Sequence, residues 1–220
     1  MNRLAIFDCD GTLVDSGGTI HRALDTTFRA HNLICPPRDE AQKVIGLSLE
    51  EAMTALAPGS DLVALSATYK DNFIAMRGAG EVEEPLFDGI VQLLDLLEDD
   101  GWLLGVATGK SLRGLKHCLA NHGLEDRFVT LQTADNNPSK PDPSMARTAM
   151  AEAGAVPEST LFIGDTAWDM GCARSAGCVA IGAAWGYHTA EELRADGAHH
   201  VASHPSEVAA IAREHLEQAR

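Results

Sequence analysis

The sequence predicts an open, doubly wound parallel α/β sheet carrying an all-helical insertion, and three observations carry that expectation. Short apolar runs recur along the chain without the polar alternation of half-exposed strands. Amphipathic stretches at helical spacing separate them, the order expected of a parallel sheet with helices on its faces. One long segment near the N-terminus breaks this rhythm and reads as helices alone.

Taken in order, residues 4–7 form the first buried strand, which ends at Asp8. Residues 15–83 hold no convincing strand, and helices are expected over 16–31, 39–45, 48–57 and 61–77. Within them Leu24 and Phe28, and Leu62, Leu65, Tyr69, Phe73 and Met76, stand three and four residues apart, as helix–helix packing requires. An insertion at this point lies over the carboxyl end of the first strand, where ligands bind in open α/β sheets. A purely structural bundle fits the same pattern, but its position over that end favours a lid. Beyond Pro85 the strand–helix rhythm is regular, with helices over 88–100, 111–122, 143–153 and 168–176 and strands over 102–107, 128–131, 160–163 and 179–184. The expected organisation is therefore a catalytic core of residues 1–14 and 84–220 with a helical cap of residues 15–83.

The composition is that of an ordinary globular chain, 45% hydrophobic and 22% charged over 220 residues. A chain of this size buries about 70% of its unfolded surface and needs no disulfide or metal staple. The formal net charge of -15 repels nucleic acid and anionic membrane surfaces, so neither is an expected partner. An anionic substrate must then be met by local cations. The five cysteines show no C-x-x-C spacing, which points to a reducing compartment. The apolar start is too short for a signal peptide and nothing approaches transmembrane length, so the expected location is cytoplasmic.

Four motifs carry chemistry. Asp8-Cys9-Asp10-Gly11-Thr12 follows the first strand directly. Its two carboxylates project near the strand end and repel unless a cation or a shared proton relieves them. With Mg²⁺ present, Asp8 can stay ionised as a nucleophile while Asp10 gives a proton to a leaving oxygen; a strand-ending turn that caps a helix is the plainer alternative. Thr108-Gly109-Lys110, also between strand and helix, offers a hydroxyl and backbone N–H groups to an oxyanion, although a hydroxyl before a helix is as often a simple N-cap. Lys140, next to Pro141-Asp142-Pro143, is a cation on a stiffened loop that can neutralise a phosphoryl oxygen, or else a surface lysine. Gly164-Asp165 ends another strand, with Asp169 one helical turn later. Asp165 is placed to bind a hard cation, with Asp169 as a further ligand or support. Acids suited to a helix N-terminus explain Asp169 but not Asp165. All four motifs fall at carboxyl ends of strands in one sheet, which converges them on one rim. There, carboxylates, Mg²⁺, a hydroxyl, amides and an ammonium form a site for a tetrahedral dianion.

These motifs, in this order, resemble the haloacid dehalogenase superfamily, in its phosphoglycolate-phosphatase-like branch with a helical cap, across essentially the whole chain. The resemblance implies Asp8 as nucleophile and Asp10 as general acid, then base. It implies Thr108 and Lys140 on the phosphoryl group, and Mg²⁺ held by Asp8, the Asp10 carbonyl and Asp165 with Asp169 in support. It implies a mobile cap that excludes water and chooses a small phosphorylated metabolite. Lys43 to Ser48 looks like the family's specificity loop, with Gly46 permitting its turn and Lys43 offered as a contact to substrate. Lys43 reads equally well as a solvated residue. Lys110 and Arg113 are local cations set against the global charge. A β-phosphoglucomutase, a nucleotidase or a pyrophosphatase shares the motifs. A phospho-receiver or a binding protein is the reading from outside catalysis. His199, His200 and His204 are expected to be structural rather than a metal cluster, and Trp168 to pack at the rim.

Overall fold

A computed structural model describes residues 2–218, with the side chain of Gln218 left aside. Six strands form one parallel sheet: β1 Asn2–Phe7, β2 Trp102–Thr108, β3 Phe128–Thr133, β4 Ala155–Gly164, β5 Val179–Ala183 and β6 His200–Ala202. Their spatial order is β3-β2-β1-β4-β5-β6, so β1 lies at the centre and the winding reverses beside it. In such sheets the crevice at the reversal, outside the carboxyl ends of the strands, is where ligands bind.

Between β1 and the next strand the chain makes five helices: α1 Gly17–Ala30, α2 Arg38–Gln42, α3 Leu49–Leu56, α4 Leu62–Gly78 and α5 Ile90–Asp99. The first four pack around a core of their own, with Leu24, Phe28, Met53 and Leu65 at its centre. Ser48 and Asp61 start α3 and α4 by accepting the backbone N–H groups of Glu51 and Ala64, which satisfies donors that a helix start leaves unpaired. The helix expected over 39–45 is shorter than its pattern, because α2 ends at Gln42 and the chain turns through Gly46 at φ +97°. That left-handed conformation favours glycine.

The remaining helices are α6 Leu112–Asn121, α7 Ser144–Ala153, α8 Ala167–Ala176, α9 Ala190–Ala195 and α10 Pro205–Gln218. Alternate residues of β1 serve opposite faces of the sheet. Ala5 and Phe7 join the core beneath α5, α6 and α10, while Leu4 and Ile6 join the core beneath α7, α8 and α9. The expected strands and helices between 85 and 184 appear within a few residues, β4 being longer at its start. Beyond 184, β6 and α9 are three and six residues long, too short to show a period. Among the described residues no helix is long and apolar enough to cross a membrane.

Candidate active site

Asp8 follows the end of β1 and Asp10 borders a cavity, while Cys9 between them turns into the core, its sulfur 4.0 Å from that of Cys118. Asp8 is fully buried. Its Oδ1 accepts the Cys9 N–H at 2.7 Å and lies 3.0 Å from the Lys140 ammonium. Its Oδ2 is buried with no hydrogen-bond partner. Leaving a carboxylate oxygen bare in this way costs free energy, so it marks a place where a ligand belongs. Burial pushes Asp8 up to about 7, with Lys140 pulling down and Asp169 and Asp10 pushing up.

Lys140 is as deeply buried as the acids it serves. Its Nζ donates to Asp169 Oδ1 at 2.6 Å and to the Ala107 carbonyl at 3.2 Å, besides its contact with Asp8. All three ammonium hydrogens thus have acceptors. Burial alone would lower its pKa, but Asp169 and Asp8 overcome this and hold it above the ordinary lysine range. Asp169 is also half of a capping box, its Oδ2 accepting Thr166 N–H at 3.0 Å and Thr166 Oγ1 at 2.7 Å. The acid expected of a helix start and the acid expected of the site are therefore one residue in both capacities.

Asp165 is wedged between two glycine backbones. A Cβ at Gly11, which sits at φ +88°, would come within 2.2 Å of Asp165 Oδ2, and one at Gly186 within 2.3 Å of Asp165 Cβ. Thr12 Oγ1 and the Tyr187 N–H donate to its two oxygens at 2.9 and 3.0 Å. Burial, then the charges of Asp169 and Asp8, raise its pKa well above the carboxylate range. One carboxylate oxygen from each of Asp8, Asp165 and Asp169 falls within 4.8 Å of the others. An all-oxygen set of buried carboxylates suits a hard divalent cation such as Mg²⁺. The unpartnered Asp8 Oδ2 is consistent with that fit.

Across from these acids Thr108 is buried and its hydroxyl accepts the Lys110 N–H at 3.2 Å. Gly109 lies against the loop after α2, where a Cβ would meet the Leu47 carbonyl at 2.1 Å. In the same loop Gly46 overhangs Asp8, a Cβ there falling 3.7 Å from Asp8 Oδ2. Lys43 is not brought to the site. With α2 ending at Gln42 its side chain is exposed, and what it contributes is its carbonyl, which accepts the Trp168 indole N–H at 3.0 Å. Ser48 N–H donates to Ser139 Oγ at 2.8 Å, a second tie between loop and core. A cavity of about 750 Å³ opens beside Asp10 between core and helices, with Gly109, Lys110, Ile45, Tyr69 and Phe73 among its walls.

Lys110, read as a local cation, is instead in a buried network with Asp10 and Glu84, each at 2.8 Å. Glu84 had no signal in the sequence, whereas Thr12, within the first motif, and Ser16 just beyond it donate to Asp165 and Asp10. His199 is structural, accepting Ala180 N–H at Nδ1 with Arg174 at its other nitrogen.

A profile described as haloacid dehalogenase-like hydrolase matches residues 5–183. The chain is 35% identical over 200 residues to the protein named Probable phosphatase IndB from Dickeya dadantii, covering 89% of this chain and 86% of that one. It is 28% identical over 216 residues to the phosphoglycolate phosphatase of Vibrio parahaemolyticus, covering 94% of each. The crystal structure of a predicted phosphatase from Clostridium acetobutylicum superposes with a TM-score of 0.85 at 25% identity, over 97% of this chain and 99% of that one.

Proposed function

The chain belongs to the haloacid dehalogenase-like hydrolases, and from that premise we propose that it is a Mg²⁺-dependent phosphatase of a small phosphomonoester, working through a phosphoaspartyl intermediate on Asp8. The observation that carries this reading is the bare, buried Asp8 Oδ2, set beside an ammonium on its sister oxygen and two further buried acids. Membership of a hydrolase family sets aside the receiver and binding-protein readings.

Asp8, the Asp10 carbonyl and Asp165 would hold the cation, with Asp169 in support. Bound there, Mg²⁺ supplies positive charge that lets a dianion approach a cluster of carboxylates. In the first step the Asp8 carboxylate attacks phosphorus, the bond from phosphorus to the ester oxygen breaks, and Asp10 gives that oxygen its proton. In the second, Asp10 takes a proton from water as the water oxygen attacks phosphorus. The Asp8–phosphorus bond breaks and inorganic phosphate leaves. Thr108 and the Gly109 backbone N–H cradle the phosphoryl oxygens. Lys140, whose hydrogens are already shared among three acceptors, fixes the nucleophile and lends its charge to the phosphoryl group. Residues 15–83 serve as the cap over residues 1–14 and 84–220, and the loop at Gly46 excludes water from Asp8. The substrate is read as phosphoglycolate-like, a small phosphorylated metabolite acting in the cytoplasm.

Turnover quenched in acid should leave phosphate label on Asp8. Asp8→Asn should lower kcat by about 10³-fold or more. Chelation with EDTA should stop phosphate release from a panel of phosphomonoesters, and added Mg²⁺ should restore it. Unlabelled Asp8, or an Asn variant at full rate, ends this reading.

A further inference from the structure

Lys110 lies between Thr108 and the start of α6, and its side chain is only 9% exposed. Its Nζ donates to Asp10 Oδ1 at 2.8 Å and to Glu84 Oε1 at 2.8 Å. Ser16 Oγ donates to the same Asp10 Oδ1 at 2.6 Å. Asp10 Oδ2 has no hydrogen bond among the described residues, and Asp10 forms part of the cavity wall. Two donors on one oxygen fix rotation of the carboxyl group and turn the other oxygen towards the cavity. Glu84 belongs to the linker that returns the chain from α4 to the core, and its carbonyl is tied to His122 Nε2 at 2.7 Å. The Phe73 ring of α4 lies 5.9 Å from the ammonium, so the helical insertion closes over it.

We propose that Lys110, anchored by Glu84, is a positioning residue that turns Asp10 so that its free oxygen addresses the leaving oxygen of the substrate. This rests on the phosphatase reading above. The proton that passes to the leaving oxygen, as its bond to phosphorus breaks and the Asp8–phosphorus bond forms, is the one on Asp10 Oδ2. Lys110 keeps its own protons and touches neither substrate nor phosphorus. Its loss therefore matters in proportion to how much the leaving group needs a proton. An alkoxide leaving group needs one, whereas 4-nitrophenolate leaves without it.

The test compares kcat/KM on an alkyl phosphate and on 4-nitrophenyl phosphate for the wild type, Lys110→Met, Lys110→Arg and the double variant Lys110→Met/Glu84→Gln. The double variant removes the charge that Glu84 would otherwise bury unpaired, while Asp10 keeps its Ser16 donor, which guards against a folding defect. Both Met variants should lose about 10²-fold on the alkyl ester but about 5-fold or less on the aryl ester, and Lys110→Arg should recover part of the alkyl loss. Equal losses on the two esters, or no loss on the alkyl ester, overturn the proposal. If Asp8→Asn leaves the wild-type rates intact, the phosphatase reading itself has failed. If Asp8→Asn is inactive while Lys110→Met loses equally on both esters, only the role of Lys110 has failed.

Discussion

The Lys140 ammonium stands between two buried carboxylates, and neither Asp8 nor Asp169 has another cation within ion-pair distance among the described residues. Lys140→Met would leave both charges buried and facing one another. Without metal the variant should be less stable by about 3–5 kcal/mol, read from urea unfolding. Added Mg²⁺ should return part of that loss, because a second source of positive charge then reaches Asp8. Lys140 was legible because its loop follows a strand in a chain where other strands end in acids. Asp8, Asp10, Thr108 and Asp165 were legible for the same reason, each standing where a strand gives way to a turn, and Asp169 as the acid one helical turn later in α8. The Lys110–Glu84 pair was not. The two residues are 26 positions apart, one on a core loop and one on a linker, and no periodicity relates such places. Lys43 was offered from a loop resemblance that fits a solvated residue equally well, and its side chain is exposed while its carbonyl holds Trp168.

Among elements, the loop from Gly46 to Ser48 and the turn at Gly109 are fitted to one another through their backbones. Gly109→Ala would place a methyl group 2.1 Å from the Leu47 carbonyl, and a backbone oxygen cannot swing aside as a side-chain tip can. The loop must lift from Asp8, and misplacement on the ångström scale should lower kcat/KM by about 10-fold or more. Gly78→Ala, at the end of α4 with open space around it, should leave kcat/KM unchanged and serves as the control. Strands β1 to β5 and helices α1 and α3 to α8 were readable because each shows a run or a period of apolar residues, whereas α10, 14 residues long, was not expected. β6, α9 and the extension of β4 were not, since a three-residue edge strand or a single helical turn shows no such run.

For the molecule as a whole, the buried acids tie stability to pH and to metal. Asp8 moves from its ordinary 3.8 to about 7 in the fold, so between those values the folded protein binds more protons than the unfolded chain. Stability of the metal-free protein from this group is therefore greatest below pH 4 and falls as pH rises towards 7; Asp165, also raised, adds in the same direction. A cation must displace those protons at low pH but finds the acids ready at high pH. The melting-temperature gain on adding Mg²⁺ should thus be larger at pH 8 than at pH 5.5 in a thermal scan, and an equal gain at both would contradict these shifts. The three ties of the Lys43 to Ser48 loop have a different kind of consequence. On the loop's side each one uses a main-chain atom: the Lys43 carbonyl to Trp168, the Ser48 amide to Ser139 and the Leu47 carbonyl against Gly109. A clasp written in peptide groups ignores which side chains hang from it. Substitution of side chains between Lys43 and Ser48 would therefore leave these main-chain contacts in place.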